Sequence, residues 1–272
     1  MEVISVGSSS SGNAYIITTE NSTVIIDVGL PAKRIITALH QIGRSPEDVE
    51  AILITHEHVD HVRSVRAMGR QCPNALFYAS KGTVENTDAF QYIDNERIII
   101  VTAGEEIGMS EAIANTFPLS HDAVEPIGYT ISADDINVSV VTDCGVITDD
   151  IYNAVKSSDI ILLEANHDEN MLIYGEYPYS LKVRIKSDYG HLSNSCAGDA
   201  LTRILDDRKK EMTGRMDPLR IMLTHLSFHN NAPYFARQTV EEKLEQCGYK
   251  KGDDYLLEIA SKDEITVINC GD

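Results

Sequence analysis

The segment Thr55-His56-Glu57-His58-Val59-Asp60-His61 constrains this chain more than any other feature of its 272 residues. Four candidate metal ligands, His56, His58, Asp60 and His61, stand within six positions, directly after the apolar run Ile52-Leu53-Ile54. Burying so many imidazoles and carboxylates at a strand end without a cation would leave polar groups unpaired, at about 1–3 kcal/mol each. The His-x-His pair puts two imidazoles on one side of an extended exit loop, while Asp60 and His61 open the next helix and point elsewhere. That spacing suits two neighbouring ions better than a solvated loop.

Three more apolar runs end in the same way. Val138-Ser139-Val140-Val141-Thr142 leads into Asp143, Ile160-Ile161-Leu162-Leu163 into Glu164, and Ile221-Met222-Leu223-Thr224 into His225. Runs of this kind read as strands buried on both faces. Strands that all finish in a ligand-type residue point to one cluster at the carboxyl ends of strands, where α/β folds place their sites. A polar residue merely ending a strand explains any one of them; four together argue for a site.

The remaining chain supplies a scaffold. Strands are predicted at Glu2–Val6, Ala14–Thr19 and Thr23–Val28, an antiparallel meander, followed by a helix over Pro31–Ile42 with Gly43 as its left-handed cap. Further strands are predicted at Ala51–Thr55, Ala75–Tyr78, Arg97–Val101, Ile113–Phe117, Ile127–Ser132, Ile136–Thr142, Asp159–Glu164, Arg220–Thr224, Tyr255–Ile259 and Ile265–Ile268. Helices are expected over Val59–Met68, closed by Gly69, and over Thr83–Phe90, Asp149–Lys156, Ser195–Arg208 and Pro233–Gln246. This is α/β with more strands than a doubly wound sheet needs, so two mixed sheets covered by helices are expected. No Pro- or Ser-rich linker, low-complexity tract or repeat interrupts the chain, which favours a single domain over residues 1–272.

Composition excludes several classes. The longest purely apolar runs, Ile98–Val101 and Ile160–Leu163, fall far short of the roughly 18 residues of a membrane span. The start Met-Glu-Val-Ile-Ser lacks the basic and apolar regions of a signal peptide, so a cytoplasmic location is expected. The five cysteines, Cys72, Cys144, Cys196, Cys247 and Cys270, are odd in number, scattered and without a C-x-x-C, which fits reduced thiols. A formal net charge of −19 argues against holding nucleic acid by a broadly basic surface.

The His-x-His-x-Asp-His segment resembles the signature of the metallo-β-lactamase superfamily, and the resemblance extends over nearly the whole chain. Asp27 in Ile25-Ile26-Asp27-Val28-Gly29 matches the early aspartate that supports the metal loop. His121 in Ser120-His121-Asp122, Asp143 in Thr142-Asp143-Cys144-Gly145 and His225 in Leu223-Thr224-His225 match the remaining ligands. The resemblance implies an αββα sandwich with one metal on His56, His58, His121 and Asp143, and a second on Asp60, His61, His225 and the shared Asp143. Five neutral imidazoles and two carboxylates around two divalent ions leave a charge of about +2, which favours an anionic substrate despite the acidic envelope. Nitrogen and oxygen donors without thiolate suit Zn²⁺, with Mn²⁺ or Fe²⁺ as alternatives. Two such ions about 3.5–4 Å apart share a hydroxide and clamp an in-line displacement, with Asp60 both ligand and orienter of the nucleophile.

The superfamily hosts lactamases, thioesterases, lactonases, nucleases and redox proteins, so the metals leave the substrate open. His58 stands where flavodiiron-type members commonly carry Glu, which favours hydrolysis, and Asp143 differs from the Cys of many true β-lactamases. The order Asp143, Glu164, Gly190-His191-Leu192-Ser193-Asn194, His225 resembles ribonuclease Z-like phosphodiesterases. There the extra histidine is the general acid for a poor alkoxide leaving group and the glutamate orients it, roles that fall here to His191 and Glu164; a helix-capping segment with a structural histidine is the alternative. Together with Val6-Gly7-Ser8-Ser9-Ser10-Ser11-Gly12-Asn13, Ser120-His121-Asp122-Ala123-Val124-Glu125-Pro126 and Leu163-Glu164-Ala165-Asn166-His167-Asp168, these motifs are similar to the YycJ/WalJ-type bacterial family. That resemblance implies 5′→3′ exonuclease action on DNA, linked to mismatch repair and to a cell-wall two-component operon. Only 82 positions separate Asp143 from His225, too few for the cap domain of β-CASP nucleases, and no ribonuclease Z-type arm is evident. RNA processing, or hydrolysis of a lactone, thioester or cyclic phosphodiester, remains the alternative function.

Two further segments have double readings. Ser8–Asn13 offers backbone N–H groups and hydroxyls apt for a phosphate, or is a plain hairpin turn. Tyr174, Tyr177, Tyr179, Lys182, Arg184 and Lys186 fit a segment that stacks bases and holds phosphates of a nucleic-acid strand entering the site, or an ordinary solvated face. His167 and His229 read as supporting or surface groups, His40 as a helix residue, and Cys144 as a small neighbour of Asp143. No membrane and no obligate protein partner are expected; the −19 charge belongs to the envelope, so a nucleic-acid end would be engaged locally.

Overall fold

The computed structural model describes residues 1–211 and 217–269. Cys270, counted above among the reduced thiols, lies outside the described residues. In chain order the strands are β1 (Glu2–Gly7), β2 (Ala14–Thr18), β3 (Thr23–Ile26), β4 (Ala51–Leu53), β5 (Leu76–Ala79), β6 (Ile98–Ile100) and β7 (Glu106–Gly108). They continue as β8 (Ile113–Pro118), β9 (Ile127–Ala133), β10 (Ile136–Val141), β11 (Ile160–Glu164), β12 (Leu219–Thr224), β13 (Tyr255–Ile259) and β14 (Thr266–Asn269). The helices are α1 (Ala32–Gln41), α2 (Val59–Val62), α3 (Val65–Gln71), α4 (Lys81–Glu85) and α5 (Asp149–Val155). After them come α6 (Glu169–Tyr174), α7 (Tyr179–Ile185), α8 (Asn194–Glu211) and α9 (Pro233–Gln246).

Among the described residues the strands form two seven-stranded sheets, ordered β14-β1-β2-β3-β4-β5-β6 and β13-β12-β11-β10-β9-β8-β7. Both are mixed: β14 to β3 pair antiparallel and β3 to β6 parallel, while β7 to β9 are antiparallel and β10 to β13 parallel. The expected fold of two mixed sheets with flanking helices is therefore present. By compactness the chain falls into two units, one of Met1–Pro118, Ala123–Ile136 and Ala260–Asp272, the other of Leu119–Asp122 and Asn137–Ile259.

In the first unit, Ile4, Ile16, Ile25, Ile35, Leu39, Ile52 and Phe77 are fully buried in one core. Each such side chain contributes about 1.5–3 kcal/mol of burial, and α1 presents Ile35, Ala38 and Leu39 to that core at helical spacing. Gly43 takes the left-handed φ of +75° that closes α1, as its sequence position predicts.

The helix expected over Val59–Met68 is two helices. Ser64 gives its N–H to the Val28 carbonyl (2.9 Å) and its hydroxyl to the Leu30 carbonyl (2.6 Å), so bonds to the β3 exit replace the helical ladder there. Gly69 is not a cap but a packing glycine inside α3, where a Cβ would lie 2.1 Å from the Ile93 Cδ1. The stretch Thr83–Phe90 likewise divides, into α4 and a 3-10 turn at Asp88–Phe90 capped by Thr87.

In the second unit, β10, β11, β12 and β13 lie side by side, with Val141 opposite Leu163 and Leu163 opposite Leu223. This register brings the residues that follow β10 and β12 level with Glu164 at the end of β11. All five residues of β11 are buried, as a strand covered on both faces requires.

Candidate functional site

The first unit carries one half of the predicted residues. Asp27, directly after β3, holds φ +59°, a conformation that costs a non-glycine residue about 1–3 kcal/mol and that aspartate tolerates better than most. The turn aims its carboxylate at three donors. It accepts from the Thr55 N–H (2.9 Å) and hydroxyl (2.9 Å), and lies 2.7 Å from His61 Nδ1. A carboxylate only accepts, so His61 carries its proton on Nδ1 and turns the Nε2 lone pair outward, the usual arrangement behind a metal-binding imidazole. Asp60 Oδ2 lies 3.4 Å from that nitrogen. His56 Nε2 and His58 Nδ1 face each other at 3.1 Å, and the His56 and His61 rings lie 4.1 Å apart. His56, His58, Asp60 and His61 are thus brought together on the β4 exit and α2.

Two residues that sequence reasoning did not assign hold this cluster. Gly29 passes so close to α2 that an ideal Cβ would stand 1.5 Å from the Asp60 carbonyl oxygen. Asn13 donates its N–H to the same carbonyl (2.9 Å) and places its amide nitrogen 3.4 Å from His61 Nε2. The Ser8–Asn13 loop spends its side-chain polar groups largely on itself, Ser8 Oγ bonding Asn13 Oδ1 (2.9 Å) and the Ser9 N–H the same oxygen (3.1 Å), while its Ser8 N–H goes to the Ser261 carbonyl (3.1 Å). It buttresses α2. The signal was present in Gly29 of Asp27-Val28-Gly29, a glycine immediately after a buried aspartate.

The second unit carries the other half. Asp143 and His225, which follow β10 and β12, both hold left-handed φ values, +56° and +55°. With Asp27 they make three strained non-glycine residues at strand exits, a pattern that marks functional sites more often than packing. Glu164 is wholly buried and accepts four hydrogen bonds. Its Oε1 takes His191 Nδ1–H (2.8 Å) and His225 Nδ1–H (2.7 Å), and its Oε2 takes the Cys144 N–H (2.9 Å) and Leu192 N–H (3.1 Å). Burial alone would raise this carboxyl; the two imidazoles outweigh burial and hold it low, at about 2. For His191, burial lowers the imidazole, but Glu164 and Asp143 outweigh it and hold it above its ordinary value.

His121 donates Nδ1–H to the Gly190 carbonyl (3.0 Å), which leaves Nε2 as an acceptor 3.8 Å from Asp143 Oδ1. Burial is the main cause that depresses its pKa, keeping the ring neutral and ligand-like. Asp143, Glu164, His191 and His225 each offer one ligand-type atom within 4.8 Å of the others. Asp143 Oδ1 lies 3.3 Å from His225 Nδ1 and 3.4 Å from His191 Nδ1. Buried imidazole nitrogens with fixed tautomers and carboxylate oxygens fit divalent ions of the Zn²⁺ or Mn²⁺ kind.

The Tyr174–Lys186 segment is two short helices, α6 and α7, around Pro178, and was not anticipated as helical. Its cations are engaged: Lys182 Nζ holds the Ile173 (2.8 Å) and Gly175 (2.7 Å) carbonyls, and Arg184 pairs with Asp122, its Nη2 2.9 Å from Oδ1. Tyr174 and Tyr179 are exposed, Lys186 with them. His167 is buried, and burial chiefly lowers it to about 4; His229 and His40 are at the surface, and Cys144 is buried beside Asp143.

A sequence model for the Beta-lactamase superfamily domain matches residues 24–212. The exodeoxyribonuclease WalJ of Streptococcus pneumoniae is 36% identical over 262 residues, covering 95% of this chain and 94% of that protein. The exodeoxyribonuclease YycJ of Bacillus anthracis is 30% identical over 250 residues, covering 92% and 91%. Among solved structures, the metallo-β-lactamase fold protein YhfI of Bacillus subtilis superposes with a TM-score of 0.71 at 14% identity over 98% of each chain, a likeness of fold alone.

Proposed function

The chain belongs to the β-lactamase superfamily and, within it, to the family of the exodeoxyribonucleases WalJ and YycJ, and from that premise we propose that it degrades DNA from a 5′ end with two divalent metal ions. His56, His58, His121 and Asp143 would hold one ion, and Asp60, His61, His225 and the shared Asp143 the other, with Zn²⁺ or Mn²⁺ preferred by the donor set. When bound, the ions supply positive charge against the phosphate and acidify water.

The observation that carries the reading is the Glu164–His191 pair. A thiolate leaving a thioester needs no external acid of this kind, whereas an alkoxide leaving a phosphodiester does. The carboxylate fixes the proton on His191 Nδ1, favours the doubly protonated ring, and turns Nε2–H outward as the donor to the leaving oxygen. Protonation by a positioned side chain contributes about 10²–10⁴-fold. Asp60 orients the nucleophile, and Asp27 keeps His61 in its ligand tautomer. DNA repair is the process such an activity would serve.

The test is a polarity-resolved assay on end-labelled DNA and RNA with Mn²⁺, Zn²⁺ and Mg²⁺. Release of labelled mononucleotide from a 5′ end of DNA is expected. His191→Ala should abolish cleavage with two ions still bound per chain by elemental analysis, whereas Asp60→Ala should lose cleavage and metal together. Intact DNA alongside turnover of lactones or thioesters would replace this reading, and near-normal cleavage by His191→Ala would remove its general acid.

A further inference from the structure

The two helices that open on Asp60 and His61 carry a row of arginines away from those residues. Arg63, Arg66 and Arg70 are exposed, while Val62, Val65 and Met68 beside them are buried, so the three cations share the outer face of α2 and α3. Arg66 and Arg70 stand one turn apart in α3, with Cβ atoms about 5–6 Å from each other. At a helical rise of about 1.5 Å per residue, Arg63 lies about one turn beyond Asp60 and Arg70 about 15 Å beyond it.

The first unit has six arginines, and they divide evenly. Arg34 donates to the Val6 carbonyl, Arg44 to those of Thr19 and Glu20, and Arg97 to those of Gly69, Cys72 and Ala75. The side chains of Arg63, Arg66 and Arg70 have no hydrogen bond or ion pair among the described residues. Acids to pair with them are in ample supply, 42 against 23 basic residues in the chain, and like charges at this spacing destabilise a helix. A row left unpaired under those conditions is disposed for an anion outside the fold. Arg66 is also held in place, its guanidinium carbon 3.6 Å from the centroid of the Tyr92 ring, just after the Asp88–Phe90 turn. A stacked guanidinium is positioned while its N–H groups stay free for the paired oxygens of a phosphate.

We propose that Arg63, Arg66 and Arg70 hold the phosphates that follow the scissile one on the substrate strand, so that the DNA leaves the metal centre along α2 and α3. The proposal rests on the nuclease reading above and deepens it by assigning the path of the strand. A line of fork-shaped donors that starts one turn from Asp60 matches a line of phosphates that starts at the reacting one. Each phosphate met on a single strand adds about 0.7 to the slope of log K against log salt, worth about fivefold in binding at 0.1 M salt.

The test reads binding apart from cleavage, by anisotropy of 3′-labelled, 5′-phosphorylated strands with metal-loaded His191→Ala protein. Arg63→Gln, Arg66→Gln and Arg70→Gln should each weaken binding about fivefold at 0.1 M KCl and flatten the salt slope by about 0.7, and the triple variant should lose on the order of 100-fold. Metal content and circular dichroism should stay as they are, because the side chains are exposed. Neutral methylphosphonate linkages placed singly after the 5′ end should weaken binding by the protein that keeps its arginines and cost the triple variant nothing more. The loss should also grow with strand length until all three arginines are met. An unchanged slope, losses that add, or a loss independent of length would overturn the path. Self-association abolished in the triple variant at unchanged DNA affinity would assign the row to a second copy of this acidic chain and overturn it too. Arginine-dependent binding without cleavage by the metal-loaded wild-type protein would overturn the nuclease reading alone, and cleavage with DNA affinity indifferent to the three arginines would overturn the path alone.

Discussion

Glu164 accepts from His191 and His225 on one oxygen and from two backbone N–H groups on the other, so Glu164→Gln removes the charge and also sets an amide nitrogen against two of these donors. In Glu164→Gln the shape survives, but the larger of the two attractions that outweigh burial at His191 is gone and Asp143 alone remains. A protonated ring stabilised by neighbouring anions titrates upward, and losing the nearer anion shifts it down against the same burial. NMR titration of metal-free protein should show the His191 imidazole above its ordinary value in the wild type and lower in Glu164→Gln; an unchanged midpoint would mean that another group holds the proton. Gly29 is a second point where one atom matters. A Cβ there would occupy the place of the Asp60 carbonyl oxygen, so Gly29→Ala must push α2 off the β3 exit. A loss of roughly 1–3 kcal/mol in urea unfolding, with fewer ions bound per chain, is expected. Unchanged stability and metal content would show that α2 can move without cost. Ligand-type residues such as His56 or Asp143 are readable because their chemistry is rare in buried strands. Asn13 is not, since its neighbour His61 is 48 positions away and only the folded chain brings them together.

Elements were legible where one physical cause dominates. The parallel strands β10, β11 and β12 match their predicted runs to within about a residue, because burial on both faces writes an unbroken apolar run. Helices α6 and α7 were not legible: their exposed residues, Tyr174 and Tyr179 among them, carry no apolar stripe, and Pro178 separates them. The break between α2 and α3 was hidden for the opposite reason, since the apolar spacing continues while Ser64 bonds the β3 exit. The turn between β9 and β10 offers a test. Asp134 and Asp135 both hold left-handed φ values, +52° and +61°, in a two-residue turn. That conformation belongs to type I′ hairpins, which favour Asn-Gly. Replacing the pair with Asp134→Asn and Asp135→Gly removes strain and two adjacent exposed charges. A gain of about 0.5–1 kcal/mol is expected, read as a higher urea midpoint at unchanged slope. A lower midpoint would show that the aspartates make compensating contacts.

At the scale of the whole molecule, the net charge of −19 and the proposed substrate pull in opposite directions. A nuclease that tracks along a duplex meets many phosphates with lysine and arginine, and its affinity falls steeply with salt. Here Lys182 is committed to the Ile173 and Gly175 carbonyls and Arg184 to Asp122, which leaves Lys186 as the exposed cation of that segment. The acidic remainder repels the strand beyond its end. Affinity must then come from the reacting phosphate and its immediate neighbours, which release few counterions. Two or three neutralised phosphates give a slope of about −1.5 to −2 for log K against log salt on a single strand. Anisotropy of a labelled, 5′-phosphorylated single strand, titrated with His191→Ala protein between about 50 and 200 mM KCl, measures it. A slope of about −5 or steeper would mean that an extended basic path holds the DNA after all, and that the acidic surface is arranged to leave one open.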